Sequence, residues 1–255
     1  MKLALMQPYF LPYIGAFQLI HAVDKYVFLG YLNFRKDAWF QRNRYIIKNV
    51  GPAFFTLTLL SKSSFKRFNE IHLDPSPYWR NKLIKSIEIN YNKSPYFEET
   101  IDLIHSIIFS DNEILDQFNA NSMISICKHL DIHTEIQLYP LAYLEIEKKL
   151  TETYNNLESY SISENKQPLD IKTKRLIEIC KYERADAYIN AIGGANLYNK
   201  QVFAAYGIDL FILKTHSIEY TQQWNNFEPN MSILDVLMNC GKEKTKDFLK
   251  EYDVV

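Results

Sequence analysis

The chain reads as an α/β protein with a mainly parallel five-stranded sheet. Three observations predict it. Five short strand-like apolar runs recur, segments of helical period lie between them, and the first run breaks into a rigid loop before a helix. Strands joined through helices need crossovers, and crossovers give parallel pairing in a Rossmann-like sheet.

Lys2–Met6 is the first strand, a short apolar run that stops at Gln7-Pro8. A helix-like stretch from Ala16 to Val23 follows Gly15, and Tyr26–Leu29 is the second strand. The hairpin comes next: Tyr45–Ile47 and Phe54–Leu60 flank the turn-rich Lys48–Pro52. Two helices are expected over 77–91 and 96–109. Met123, Ile126, Cys127 and Leu130 form one apolar helix face, with Ser122 as its expected cap. Glu135–Tyr139 is the third strand. The polar stretch from Thr151 to Leu169 has no clear period and reads as a surface loop or lid. Leu176, Ile179 and Cys180 mark another helix before the fourth strand, Ala187–Ala191. Tyr198, Val202, Ala205 and Tyr206 mark the next, with Gly207 placed as a left-handed terminator. Asp209–Leu213 is the fifth strand. Ile233, Val236, Leu237 and Cys240 form the last helical stripe; Ser232 begins it and Asp235 completes a variant of the capping box. The whole is expected as one domain over 1–255, with a hairpin and helical insertion at about 43–110.

Composition narrows the function classes. The 255 residues are 47% hydrophobic and 23% charged, as in ordinary globular proteins. A net charge of −1 does not suit a duplex nucleic acid binder. No apolar run reaches the roughly 18 residues a membrane helix needs, and four apolar residues after Lys2 do not make a secretory signal. Cys127, Cys180 and Cys240 all lie on apolar helix faces, so they read as core in a reducing cytoplasm. None of the six histidines falls in a zinc-binding spacing, no metal site is expected, and no cofactor is named.

Candidate contacts cluster where strands end, because α/β sheets hold ligands beyond their carboxyl edges. Gln7, Tyr9, Tyr13 and Gly15 come from the opening loop, which Pro8 and Pro12 stiffen. Gly15 stands at a helix start, where free N–H groups suit an anion. Arg42, Asn43 and Arg44 follow Trp39-Phe-Gln; the two arginines share parity on a strand and suit phosphate or carboxylate. Gly193, Gly194 and Tyr198 follow the fourth strand, and the twin glycines can expose N–H groups to an oxyanion. Asn230 and Ser232 precede the last helix. His216, just past the fifth strand, is the histidine placed to act as catalytic base.

Several segments resemble the WbqC-like family: Met6–Phe17, Asp24–Phe28, Trp39–Arg44, Ile192–Gly194 with Leu197-Tyr198, and Phe227–Asp235, in family order along the chain. Gly30-Tyr31 departs from a common acidic pair, Leu83 from a common His, and Ala195 from a frequent Lys. The resemblance implies a cytoplasmic protein of surface-polysaccharide (O-antigen) loci, an acyl or aminoacyl transferase acting on a nucleotide-linked amino sugar. It implies a nucleotide-sugar as small-molecule substrate and an acyl-carrier protein as partner. Two alternatives stay open. Phe10–Phe17 is placed like the signature of nucleotidylyltransferases, with Tyr13 and Ala16 in place of its histidines, which implies a related fold or a degenerate member. The other is a non-catalytic scaffold for a carrier protein or glycosyltransferase.

Overall fold

A computed structural model describes residues 1–36, 38–158, 170–224 and 226–255. The chain runs β1 (Lys2–Met6), α1 (Ile14–His21), β2 (Lys25–Phe28), a hairpin of β3 (Arg42–Ile47) and β4 (Gly51–Thr56), then α2 (Pro77–Tyr91), α3 (Phe97–Ile108) and α4 (Leu115–His129). It continues through β5 (Glu135–Leu138), α5 (Leu141–Glu158), α6 (Ile171–Glu183), β6 (Ala187–Ala191), α7 (Lys200–Ala204), β7 (Asp209–Thr215), α8 (Ile233–Phe248) and β8 (Tyr252–Val254).

The central sheet has six strands in the order β5-β2-β1-β6-β7-β8, and the hairpin is a separate antiparallel pair. The five expected strands are all present and mutually parallel. The sixth corrects the strand count: β8 pairs antiparallel with β7, Leu213 opposite Val254. Three residues with an aspartate in the middle carry too little pattern to read as a strand.

Strand alternation divides the core in two. Leu3, Leu5, Val27 and Tyr188 face α5 and α6, while Ala4, Tyr26, Phe28 and Ile189 face the larger cluster. That larger cluster also takes α1, the hairpin and α2, α3, α4 and α8. The three free cysteines are buried on helices. Inside α1, Gln18 is fully buried, and its Nε2 donates to the carbonyls of Phe248 at 2.8 Å and Glu251 at 3.0 Å. The chain end is thereby tied under the first helix.

Several local expectations need correction. Ser122 caps nothing: α4 starts seven residues earlier at Leu115, and Ser122 is buried within it without a hydrogen-bond partner for its hydroxyl. The expected loop at 151–169 is helical up to Glu158, and 159–169 lie outside the described residues. Tyr198 precedes α7, which Asn199 caps, while Gly207 follows it at φ +73°. Ser232 does cap α8, its Oγ accepting from the Leu234 N–H at 3.2 Å. The reciprocal contact fails because the Asp235 carboxylate turns inward to Tyr91, Tyr220 and Gln222.

Candidate functional site

In an open α/β sheet a ligand crevice forms where neighbouring strands send the chain opposite ways. Here that point lies between β1 and β6, which pair Lys2 with Ala187 and Leu3 with Tyr188. The opening loop leaves the carboxyl end of β1, the twin-glycine turn leaves that of β6, and His216 follows the end of β7. Segments almost two hundred positions apart share one edge.

Buried side chains hold the opening loop in shape. Leu11, at φ +41°, has its carbonyl gripped by Asn43 Nδ2 at 2.8 Å and Ser232 Oγ at 2.7 Å. Asn119, on α4, reaches the carbonyls of Pro8 at 3.1 Å and Phe40 at 2.8 Å. Tyr13 bridges Ser232 in antiparallel fashion, and the Ile233 N–H donates to Pro12 at 2.8 Å. Asn43 and Ser232 therefore direct their side chains into the loop backbone. Arg44 does similar work, its Nη2 donating to the carbonyls of Pro229 at 2.5 Å and Asn230 at 3.2 Å. Asn119 escaped sequence reasoning, since nothing local marks it; its partners lie far away in the chain.

Three loop side chains stay at the surface of the edge. Gln7 is half-buried, with Nε2 3.5 Å from the Asn33 carbonyl. The Tyr9 phenol is pushed up by burial and pulled back by Arg35 nearby. The Tyr13 ring lies over Gly15, so closely that a Cβ there would sit 2.4 Å from it. Burial raises its phenol too, and the Thr215 hydroxyl beside it offsets part of the rise.

The twin glycines differ. A Cβ on Gly194 would lie 2.2 Å from the Asn190 amide, whose Oδ1 accepts from the Ala191 N–H at 2.9 Å. Gly193 is exposed, and a Cβ there meets nothing within 4 Å. Tyr198 is half-buried, with Arg175 close enough to oppose the rise that burial gives its phenol.

Arg42 sits 5.7 Å from the Trp39 ring and 5.2 Å from that of Phe54, both half-exposed. No carboxylate pairs with it among the described residues. His216 is different: Nδ1 lies 3.3 Å from Glu251 and Nε2 3.2 Å from Asp253, and the two carboxylates raise its affinity for a proton.

A family model described as the WbqC-like protein family matches residues 7–247. The chain belongs to the WbqC-like protein family. An uncharacterised protein of Mycobacterium tuberculosis (strain ATCC 25618 / H37Rv) is 26% identical to it over 252 residues, covering 98% of this chain and 97% of the relative. No solved structure matches at a significant level.

This WbqC-like chain carries one further buried acid at the same edge. Asp116, in the first turn of α4, packs its carboxylate against Gly30, just past β2. It is 2% exposed, and burial lifts its carboxyl to about 6 despite the Gln117 N–H at 2.8 Å. A carboxyl raised on folding binds its proton more tightly in the native state. Its contribution is therefore full below the unfolded value near 4 and is lost as pH rises through about 6. Asp116→Asn should flatten the stability decline between those values by about 2–3 kcal/mol. Urea unfolding of both proteins across that window checks it; parallel curves would show the carboxyl is not perturbed.

Among the described residues no three His, Cys, Asp or Glu side chains come together to hold a metal ion. None of the described helices is long and apolar enough to cross a membrane.

Proposed function

We propose that this protein is a cytoplasmic transferase that moves an acyl or aminoacyl group onto a nucleotide-linked amino sugar during surface-polysaccharide (O-antigen) synthesis. The observation that supports the reading is that β1 and β6 are neighbours in the sheet, so the Gln7–Tyr13 loop and the open Gly193 turn leave adjacent carboxyl ends at the switch point. Family membership supports it. Gln7 offers an amide to sugar hydroxyls, and the Tyr9 and Tyr13 rings offer apolar faces. Gly193 is exposed, and its backbone N–H is the group that would meet an oxyanion. Arg42 is the cation for phosphate, since Arg44 is engaged by carbonyls. His216, held toward its protonated form, serves as a proton donor to the leaving group better than as a base.

Thermal-shift titration tests this with UDP-glucosamine, ATP with magnesium, and coenzyme A. UDP-glucosamine at a hundredfold excess over Kd should stabilise the protein by about 2.7 kcal/mol, roughly 5–10 °C. Gly193→Val and Gln7→Ala should lose that shift while melting like the parent when free. A shift with ATP and magnesium alone would favour a nucleotidylyltransferase instead. No shift with any nucleotide would overturn both.

A further inference from the structure

Beside the switch point, a recess of about 290 Å³ opens between the end of β7, the start of α1 and the loop before α8. Its volume is that of roughly ten waters. Ile14, Ile218, Met231 and Val236 give it an apolar lining, and Thr215 and His216 supply polar groups. The Thr215 hydroxyl oxygen is shielded from solvent and has no hydrogen-bond partner, although the Tyr13 phenol is its neighbour. A buried hydroxyl without a partner is rare and marks a place for an acceptor. The rim is built rather than loose. Asn230 sits at φ +55°, a left-handed state that asparagine tolerates, and Arg44 holds the carbonyls of Pro229 and Asn230 there.

We infer that this recess is the acyl pocket, taking a short uncharged aliphatic acyl group whose carbonyl oxygen accepts from Thr215 once that hydroxyl turns from Tyr13 into the recess. The assignment rests on the transferase reading, in which the amino sugar occupies the neighbouring crevice. The alkyl chain packs on Ile14, Ile218, Met231 and Val236, as their lining requires. An acyl group ending in a carboxylate is disfavoured, because Glu251 and Asp253 stand behind the single His216 imidazole.

Butyramide is the minimal carrier-free probe, and saturation-transfer NMR at millimolar concentration reads its binding. It should bind, with its terminal methyl receiving the strongest saturation, while succinamate gives no signal. Ile218→Trp, in a half-exposed loop position, should fill the recess and abolish the signal. Thr215→Val should weaken binding about tenfold through the lost hydrogen bond. Butyramide that fails to bind the parent, or binds Ile218→Trp equally well, overturns the pocket. The UDP-glucosamine shift on the same proteins separates the two claims. If it persists where butyramide fails, the pocket assignment falls alone. If it is absent while recess-dependent butyramide binding holds, the transferase reading falls and an acyl-amide site remains.

Discussion

Asp235→Ala should cost the fold about 3–5 kcal/mol, from the buried donors it leaves unmet, and lower its melting temperature by roughly 10 °C. Asp235 is fully buried on α8, and among the described residues no cation pairs with it. Its Oδ1 accepts from the Tyr91 hydroxyl at 2.7 Å, and its Oδ2 from the Tyr220 hydroxyl at 2.7 Å and Gln222 Nε2 at 3.0 Å. Tyr91 in turn accepts from the Ile46 N–H at 2.9 Å. One carboxylate thus joins α8, α2, β3 and the loop before α8. Burial pushes its carboxyl up and the three donors recover part of that cost. Alanine would leave two phenols facing a void, and unmet buried donors cost about 1–3 kcal/mol each. Asp235→Asn keeps the shape and one good acceptor, so it should fall between parent and alanine. Equilibrium urea unfolding reads both. An alanine variant that melts within about 2 °C of the parent would mean the network contributes no net stability.

The sequence shows best what is local and periodic. The parallel strands are legible because strands buried on both faces are continuous apolar runs, as in Leu3–Met6 and Tyr26–Phe28. Ser232 and Gly207 are legible because caps use particular residues for particular backbone needs. β8 has only three residues and a polar centre, and α4 opens with Asp116 and Gln117, which blur its first turn. The site is legible as a set of segments but not as a division of labour. Nothing near Asn43 or Ser232 says that each side chain will reach the Leu11 carbonyl, 32 and 221 positions away. Nor does parity separate Arg42, left beside two aromatic rings, from Arg44, spent on Pro229 and Asn230. Those choices depend on long-range packing, which no local pattern encodes.

Gly241→Ala should be the second large effect, about 2–4 kcal/mol, from backbone strain plus a collision. Gly241 interrupts α8 at φ +69° and ψ −178°, a region essentially reserved for glycine. A Cβ there would also lie 2.4 Å from the Tyr96 ring. The Tyr96 backbone is held by its N–H donating to the Met238 carbonyl at 3.2 Å, so only a turn of the exposed ring about χ1 can clear the added Cβ. The break redirects the second half of α8 so that Phe248 and Glu251 meet Gln18 and β8 reaches the sheet. The first half, which starts at the Ser232 clamp, stays anchored to the opening loop. The two halves should therefore respond separately. In Gly241→Ala, hydrogen exchange should speed up over Phe248 and 252–254, while the amides of Ile233 and Leu234 keep their protection. Tyr96→Ala in the same chain removes the collision and leaves the strain, so the double variant should recover about 1 kcal/mol relative to the sum of the single changes. Complete recovery would show that the ring, not the backbone, requires glycine. No loss in the single variant would mean α8 can run straight, and the end of the chain would then need another route back to the sheet.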